Sequence, residues 1–196
     1  MPDFGKNSLS EEILSEKGEA SVLIAGFGGQ GILFEGQVLA DSLMLKGFNV
    51  TFFPSYGAEM RGGTANATVV YSPEEVASPI VDNPDFLIAM NQPSFVKFSP
   101  KASRVVLVNS SLVSQKVLSD VDTVAQIFSF PFSNLAEETG SLRVANMVSL
   151  GALWAVLGYD VEDLLRGLED YSKHSGKEKF LPLNVEAVKK GFSLVK

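Results

Sequence analysis

The sequence predicts an α/β fold of three layers: a mostly parallel sheet with at least one antiparallel or edge strand, and a set of C-terminal helices. Three observations carry that expectation. Ser21 to Ala25 is a short β-rich apolar run that passes through a glycine turn into a long helical pattern ending at Lys46-Gly47, the strand–turn–helix unit of parallel sheets. Phe86 to Met90 and Arg104 to Val108 contain the continuous apolar runs of strands buried on both faces. From Ser141 onward the pattern is helical.

Taken in order, the chain opens on a mostly polar stretch of twenty residues. Ser8-Leu9-Ser10-Glu11 has capping-box spacing, which predicts a helix from about Leu9 to Lys17 and a break at Gly18-Glu19. We therefore divide the chain into an N-terminal extension, residues 1–19, and a single domain, residues 20–196. After the first strand and helix, Phe48 to Phe53 reads as a second strand from its β-branched and aromatic content. Pro54 to Thr64 is a polar, glycine-rich loop, and Ala65 to Ser72 a third strand. A loop alone is too short for a helical crossover, so this third strand should run antiparallel or lie at an edge.

Pro73 to Pro84 is a proline-marked connector. The strand at Asp85 to Met90 ends in Asn91-Gln92-Pro93, and Pro93 can open a short helix through Phe98. Arg104 to Val108 ends in Asn109-Ser110-Ser111, and a further strand is expected around Thr123 to Phe130. Ser141 can cap a helix from Leu142 to Leu157 that is apolar nearly all round and stopped by Gly158. Asp160 caps a second, Val161 to Tyr171, and Asn184 a third, Val185 to about Leu194.

The glycine turn is the chemical focus. Gly26, Gly28 and Gly31 fall in G-x-G-x-x-G register, with Gly29 added, between a strand and a helix. Such a turn lets a ligand approach main-chain N–H groups, and the following helix adds its unpaired N–H groups and positive dipole end. A Rossmann-like dinucleotide site would also place an acid at the end of the second strand, about 20 residues on, for the ribose hydroxyls. Here that strand leads into Pro54-Ser55-Tyr56 with no acid, which disfavours NAD and FAD.

Composition narrows the classes further. The 196 residues are 45% hydrophobic and 20% charged, ordinary for one globular domain. A net charge of -7 with scattered Lys and Arg argues against a nucleic-acid surface. With no cysteine the chain cannot hold an iron–sulfur cluster by thiolates, and a single histidine precludes a His-rich metal site. No run of about 18 apolar residues occurs. A cytoplasmic protein without membrane association is expected.

Five pieces in this order resemble one family: Gly26-Phe27-Gly28-Gly29-Gln30-Gly31; Pro54-Ser55-Tyr56-Gly57 through Arg61-Gly62-Gly63-Thr64-Ala65-Asn66; Met90-Asn91-Gln92-Pro93; Asn146-Met147-Val148 with Leu150-Gly151-Ala152-Leu153; and the closing Leu183-Asn184 helix. From Ser21 to the C-terminus the chain is similar to the gamma subunit, or gamma domain, of the 2-oxoacid:ferredoxin (acceptor) oxidoreductases. The Arg-Gly-Gly-Thr-Ala-Asn wording resembles most the 2-oxoglutarate or branched-chain members. The resemblance implies one subunit of an enzyme that decarboxylates a 2-oxoacid oxidatively with coenzyme A, giving acyl-CoA, carbon dioxide and reduced ferredoxin. Thiamine diphosphate would lie between alpha and beta components. Beta-chain cysteines or a ferredoxin-like delta component would hold the iron–sulfur clusters, and the gamma chain would contribute to the coenzyme A site.

Coenzyme A carries a pyrophosphate and a 3′-phosphate and does not require the missing ribose acid. Gly26, Phe27, Gly28, Gly29, Gln30 and Gly31 would supply N–H groups, Arg61 a bidentate cation, and Asn91 and Asn146 amides for the adenine or pantetheine. Other readings stand beside these. Arg61 can pair with Glu59 or a partner subunit; Asn91, Gln92 and Asn109 can bond their own backbone at strand ends. Asn146 can be satisfied between helices, Tyr56 and Trp154 can be packing or interface residues, and His174 a solvated loop residue. Two alternatives also stay open within the family, a purely structural scaffold subunit and the small subunit of indolepyruvate oxidoreductase. A free-standing nucleotide-binding oxidoreductase is a third.

Overall fold

The computed structural model describes residues 8–56 and 64–195. Six strands form one sheet: β1 Ala20–Phe27, β2 Asn49–Tyr56, β3 Thr64–Ser72, β4 Phe86–Ala89, β5 Val105–Asn109 and β6 Gln126–Phe130. Their order is β2-β3-β1-β4-β5-β6. β1, β4, β5 and β6 pair parallel, while β3 is antiparallel to both β1 and β2. The antiparallel strand expected from the short connection is therefore present, but it lies inside the sheet. The open edge on that side is β2, which extends past Phe53 to Tyr56. Pro54 is tolerated there because it offers no N–H on an edge that has no second neighbour.

Alternation along the central strands builds a core on each face. Val22 and Ile24 of β1, Phe86 and Ile88 of β4, and Val105 and Leu107 of β5 face one helical layer; Leu23, Ala25, Leu87, Ala89, Val106 and Val108 face the other. The second layer is thin: α3 Gln92–Phe98 covers it with Phe95, and α4 Gln115–Asp120 with Val117 and Leu118. The first layer holds α1 Leu9–Lys17, α2 Ile32–Leu45, α5 Phe132–Thr139, α6 Ala145–Leu157, α7 Val161–Ser175 and α8 Leu181–Phe192. None of the helices is long and apolar enough to cross a membrane, among the described residues.

The predicted capping box of α1 forms with both of its hydrogen bonds, and the helix packs onto the domain. Ile13 is fully buried, and the Ser10 hydroxyl lies 2.7 Å from Tyr71 Oη and 2.6 Å from Tyr159 Oη. Residues 9–17, set apart in sequence as an extension, thus share the main core.

The C-terminal half differs from expectation in several places. Helices α4 and α5 were not foreseen: α4 has six residues and buries none, and α5 has Pro131 at its N-cap, with no side-chain hydrogen bond to mark its start. Ser141 does accept a hydrogen bond from Arg143 N, but it opens a 3-10 turn, Leu142–Val144, and the α-helix begins only at Ala145. Helix α7 runs to Ser175, so His174 sits exposed on its last turn rather than in a loop. Asn184 is not the cap of the last helix. α8 starts at Leu181 with Pro182 in its first turn, where a missing N–H is harmless, and Asn184 is buried one step inside.

Helix α6 is buried within the chain itself. Trp154 is fully covered and its indole N–H donates to Asp160 O at 2.7 Å. Helix α8 crosses α6 at two glycines, Gly151 and Gly191, each lying against the other helix's backbone.

Candidate functional site

The glycine turn leaves β1 at the carboxyl end of the parallel strands, where open α/β sheets bind ligands. Gln30 N donates to Phe27 O at 3.1 Å and closes the turn. The Gln30 side chain then reaches back beneath it. Its Oε1 accepts from Phe27 N at 2.7 Å and from Asn91 Nδ2 at 3.1 Å, while Nε2 donates to Met90 O at 3.3 Å. One amide thus fastens the turn to the end of β4. A side chain at Gly26 would stand 2.7 Å from Gln30 Oε1, so this return path needs glycine there.

Three strand-end or helix amides complete the support. Asn91 is buried and caps α3, accepting from Ser94 N at 2.9 Å. Asn109, also buried, donates to Ser133 Oγ at 2.8 Å and reaches Met90 O at 3.4 Å. Asn146, in the first turn of α6, donates to Gly31 O at 3.1 Å. Gly31 adopts φ +76°, and a Cβ there would lie 2.5 Å from Asn146 Nδ2. As N-cap of α2, Gly31 offers no side chain to the helix's first N–H groups, which are left for a ligand.

Beside that helix start lies a cleft of about 480 Å³. Gly31 and Asn146 form its floor, Arg143 comes from the 3-10 turn, Lys177 from the segment after α7, and Phe34 and Phe180 supply an apolar wall. Asn184 closes it from α8. Arg143 also lines a smaller hollow of about 160 Å³ with Gly29 and Gln30, so it borders both the cleft and the turn. The Lys177 ammonium stands 4.8 Å above the Phe34 ring and 5.4 Å from that of Tyr171. Neither cation pairs with a carboxylate among the described residues. Two unpaired cations, an uncapped helix start and an aromatic wall suit a phosphate-bearing ligand with an apolar or planar portion. Among the described residues no group of three His, Cys, Asp or Glu side chains could hold a metal ion.

The structure therefore gathers Gly26 to Gly31, Asn91 and Asn146 into one bonded unit. Phe27, Gln30 and Asn91 use their polar groups mainly to build it. Arg61 lies outside the described residues, although the strand that follows it starts beside the turn, with Thr64 paired to Phe27. Arg143, Lys177, Phe34 and Phe180 were missed in sequence. The nearest signal was the spacing of Arg143, one helical turn before Asn146.

The pyruvate ferredoxin/flavodoxin oxidoreductase family matches residues 21–194. The chain belongs to that family. The family assignment made from the glycine turn and the four later segments is thereby shown. A ketoisovalerate oxidoreductase subunit VorA of Methanothermobacter thermautotrophicus is 36% identical over 177 residues, covering 88% of this chain and 36% of the relative. The chain thus spans about a third of the length of such relatives. A 2-oxoglutarate synthase subunit KorC of Archaeoglobus fulgidus is 35% identical over 147 residues, 74% of each chain. Among solved structures, the 2-oxoglutarate:ferredoxin oxidoreductase of Magnetococcus marinus, with 2-oxoglutarate, coenzyme A and succinyl-CoA bound, matches with a TM-score of 0.77 at 28% identity. That match covers 91% of this chain and 31% of the other.

Proposed function

We propose that the chain is the gamma subunit of a thiamine diphosphate-dependent 2-oxoacid:ferredoxin oxidoreductase and that it helps to hold coenzyme A. The observation that carries this reading is a pair of cations, Arg143 and Lys177, that meet no carboxylate among the described residues and stand at the uncapped start of α2 beside the glycine turn. Main-chain N–H groups of Gly28, Gly29 and Gly31 would face the pyrophosphate. Arg143 would bind phosphate oxygens through its planar fork, with Lys177 beside it and Arg61 as a third cation from the segment before β3. Phe34 and Phe180 would border the adenine, and Asn146 would fix the turn. Thiamine diphosphate and iron–sulfur clusters would belong to alpha, beta and delta partner subunits, with ferredoxin as acceptor. This chain, lacking cysteine, would bind and orient the acyl acceptor. Relatives named for 2-oxoglutarate and for ketoisovalerate both support the 2-oxoacid class, and 2-oxoglutarate is the substrate we favour.

In the assembled complex, Arg143→Ala is expected to raise the KM for coenzyme A about tenfold or more, the loss of a charge-assisted hydrogen bond. The KM for the 2-oxoacid should be unchanged. Arg61→Ala, measured alongside, should raise the same constant. If neither variant moves it, the phosphate site lies elsewhere and a scaffold role takes precedence. That second reading draws on β2, an edge strand of the described sheet on which Phe53 and Tyr56 are exposed.

A further inference from the structure

Glu35 lies in the first turn of α2, and its N–H donates at 2.9 Å to Gly31 O, the carbonyl that Asn146 also reaches. Its side chain is fully buried and turned toward α6. Oε1 stands 2.7 Å from Ser149 Oγ, and Oε2 has no hydrogen-bond partner among the described residues. Ser149 Oγ is in turn 2.9 Å from Asn146 O and 3.2 Å from Ala145 O.

A hydroxyl has one hydrogen, and that decides the arrangement. Were Glu35 a carboxylate, Ser149 would have to give its hydrogen to Oε1. A buried anion would then remain with one donor and, among the described residues, no cation beside it. As a neutral acid, Glu35 donates from Oε1 to Ser149 Oγ, and the serine hydrogen goes to the Asn146 or Ala145 carbonyl. Every hydrogen is then placed and no charge is buried. Burial itself pushes the Glu35 carboxyl well above the usual carboxylate range, and the Ser149 hydrogen bond opposes this only in part.

The groups around it do not alter the assignment. Helix α6 carries no ionisable side chain, and β1 none. Among the described residues β2 and β3 bring only the ionisable Tyr56 and Tyr71, the first exposed at the sheet edge and the second bonded to Ser10. Helix α7 turns Tyr171 to Gln37 and Phe34, Asp170 to Asp41, and Asp163 to Lys46. Lys177 sits over Phe34.

We propose that Glu35 is a positioning residue that keeps its proton at neutral pH, donates it to Ser149, and so locks the first turn of α6 against the first turn of α2. The lock sets Asn146 on the Gly31 carbonyl and keeps negative charge out of the helix start that faces the ligand's phosphates. This rests on the reading of that helix start as part of the coenzyme A site. It assigns the acid a role no ligand contact would reveal.

Two measurements test it. Infrared spectroscopy of the full chain at neutral pH should show a protonated-carboxyl band that shifts in D2O and is missing from Glu35→Gln; its absence from the wild type overturns the proposal. In the assembled complex, Glu35→Gln, which keeps a neutral donor, should bind coenzyme A within about twofold of wild type. Glu35→Ala should weaken binding about tenfold. Wild-type affinity should fall at alkaline pH while that of Glu35→Gln stays flat. A Glu35→Gln variant as weak as Glu35→Ala, or one with the wild-type pH dependence, would sink the idea. A wild-type complex that binds no coenzyme A removes the functional reading instead, and the infrared band still decides the protonation.

Discussion

Gly191→Ala is expected to destabilise the chain by ~3 kcal/mol, a fall in Tm of about 10 °C for a protein of this size, read by thermal unfolding. The reason is where the new carbon would go. A Cβ at Gly191 would press into the Val148 carbonyl of α6, and one at the reciprocal Gly151 would press into the Val188 carbonyl of α8 while standing 2.9 Å from Phe192 N. These are backbone atoms, so no rotamer change relieves the overlap; the two helices would have to separate. Separation would uncover the layer that buries Trp154, Leu153 and Val188. Gly176→Ala is the control, since Gly176 has φ +67° but nothing within 4 Å of the added carbon. It should lose only the ~1–2 kcal/mol of a left-handed residue. Equal losses in the two variants would show that α6 and α8 do not meet backbone to backbone.

What was legible in the sequence is what depends on near neighbours along the chain. Ser8 and Glu11 announce their helix because a capping box closes within one turn, and the β4 and β5 runs announce themselves because both faces are covered. That β3 would run antiparallel or lie at an edge followed from the length of its connection, and the first of these is what the sheet shows. The placement of β3 between β2 and β1 did not, because pairing partners are chosen by the whole sheet. Asn184 reads as a cap from its residue type, yet Pro182 starts the helix earlier and carries the amide inside. The cleft was hidden for a related reason: Phe34, Arg143 and Lys177 come from three separate stretches and meet only after α6 packs on α2. Glu35 was hidden by its type. In sequence it is an ordinary polar position of a helix, and only the covering α6 turns it into a buried acid.

The second large effect is expected at Gly31. Gly31→Ala should weaken coenzyme A binding by the assembled complex about tenfold to a hundredfold, with a Tm loss of only a few degrees. Two penalties act together there. At φ +76° an alanine is strained by ~1–2 kcal/mol, and its Cβ at 2.5 Å from Asn146 Nδ2 must push the amide off the Gly31 carbonyl. The first turn of α2 can relieve the strain only by rotating, which moves the uncapped N–H groups away from the proposed phosphate site. Gly29→Ala separates the two penalties, because Gly29 has φ +96° but nothing within 4 Å of an added carbon. It should lose only the strain part of the stability, and less affinity. Combining Gly31→Ala with Asn146→Ala should then recover part of the lost stability, since the obstructing amide is gone, without recovering binding. If Gly29→Ala and Gly31→Ala lose affinity equally and the double variant recovers nothing, Asn146 takes no part in setting the turn. The anion site would then be made by the glycine backbone alone.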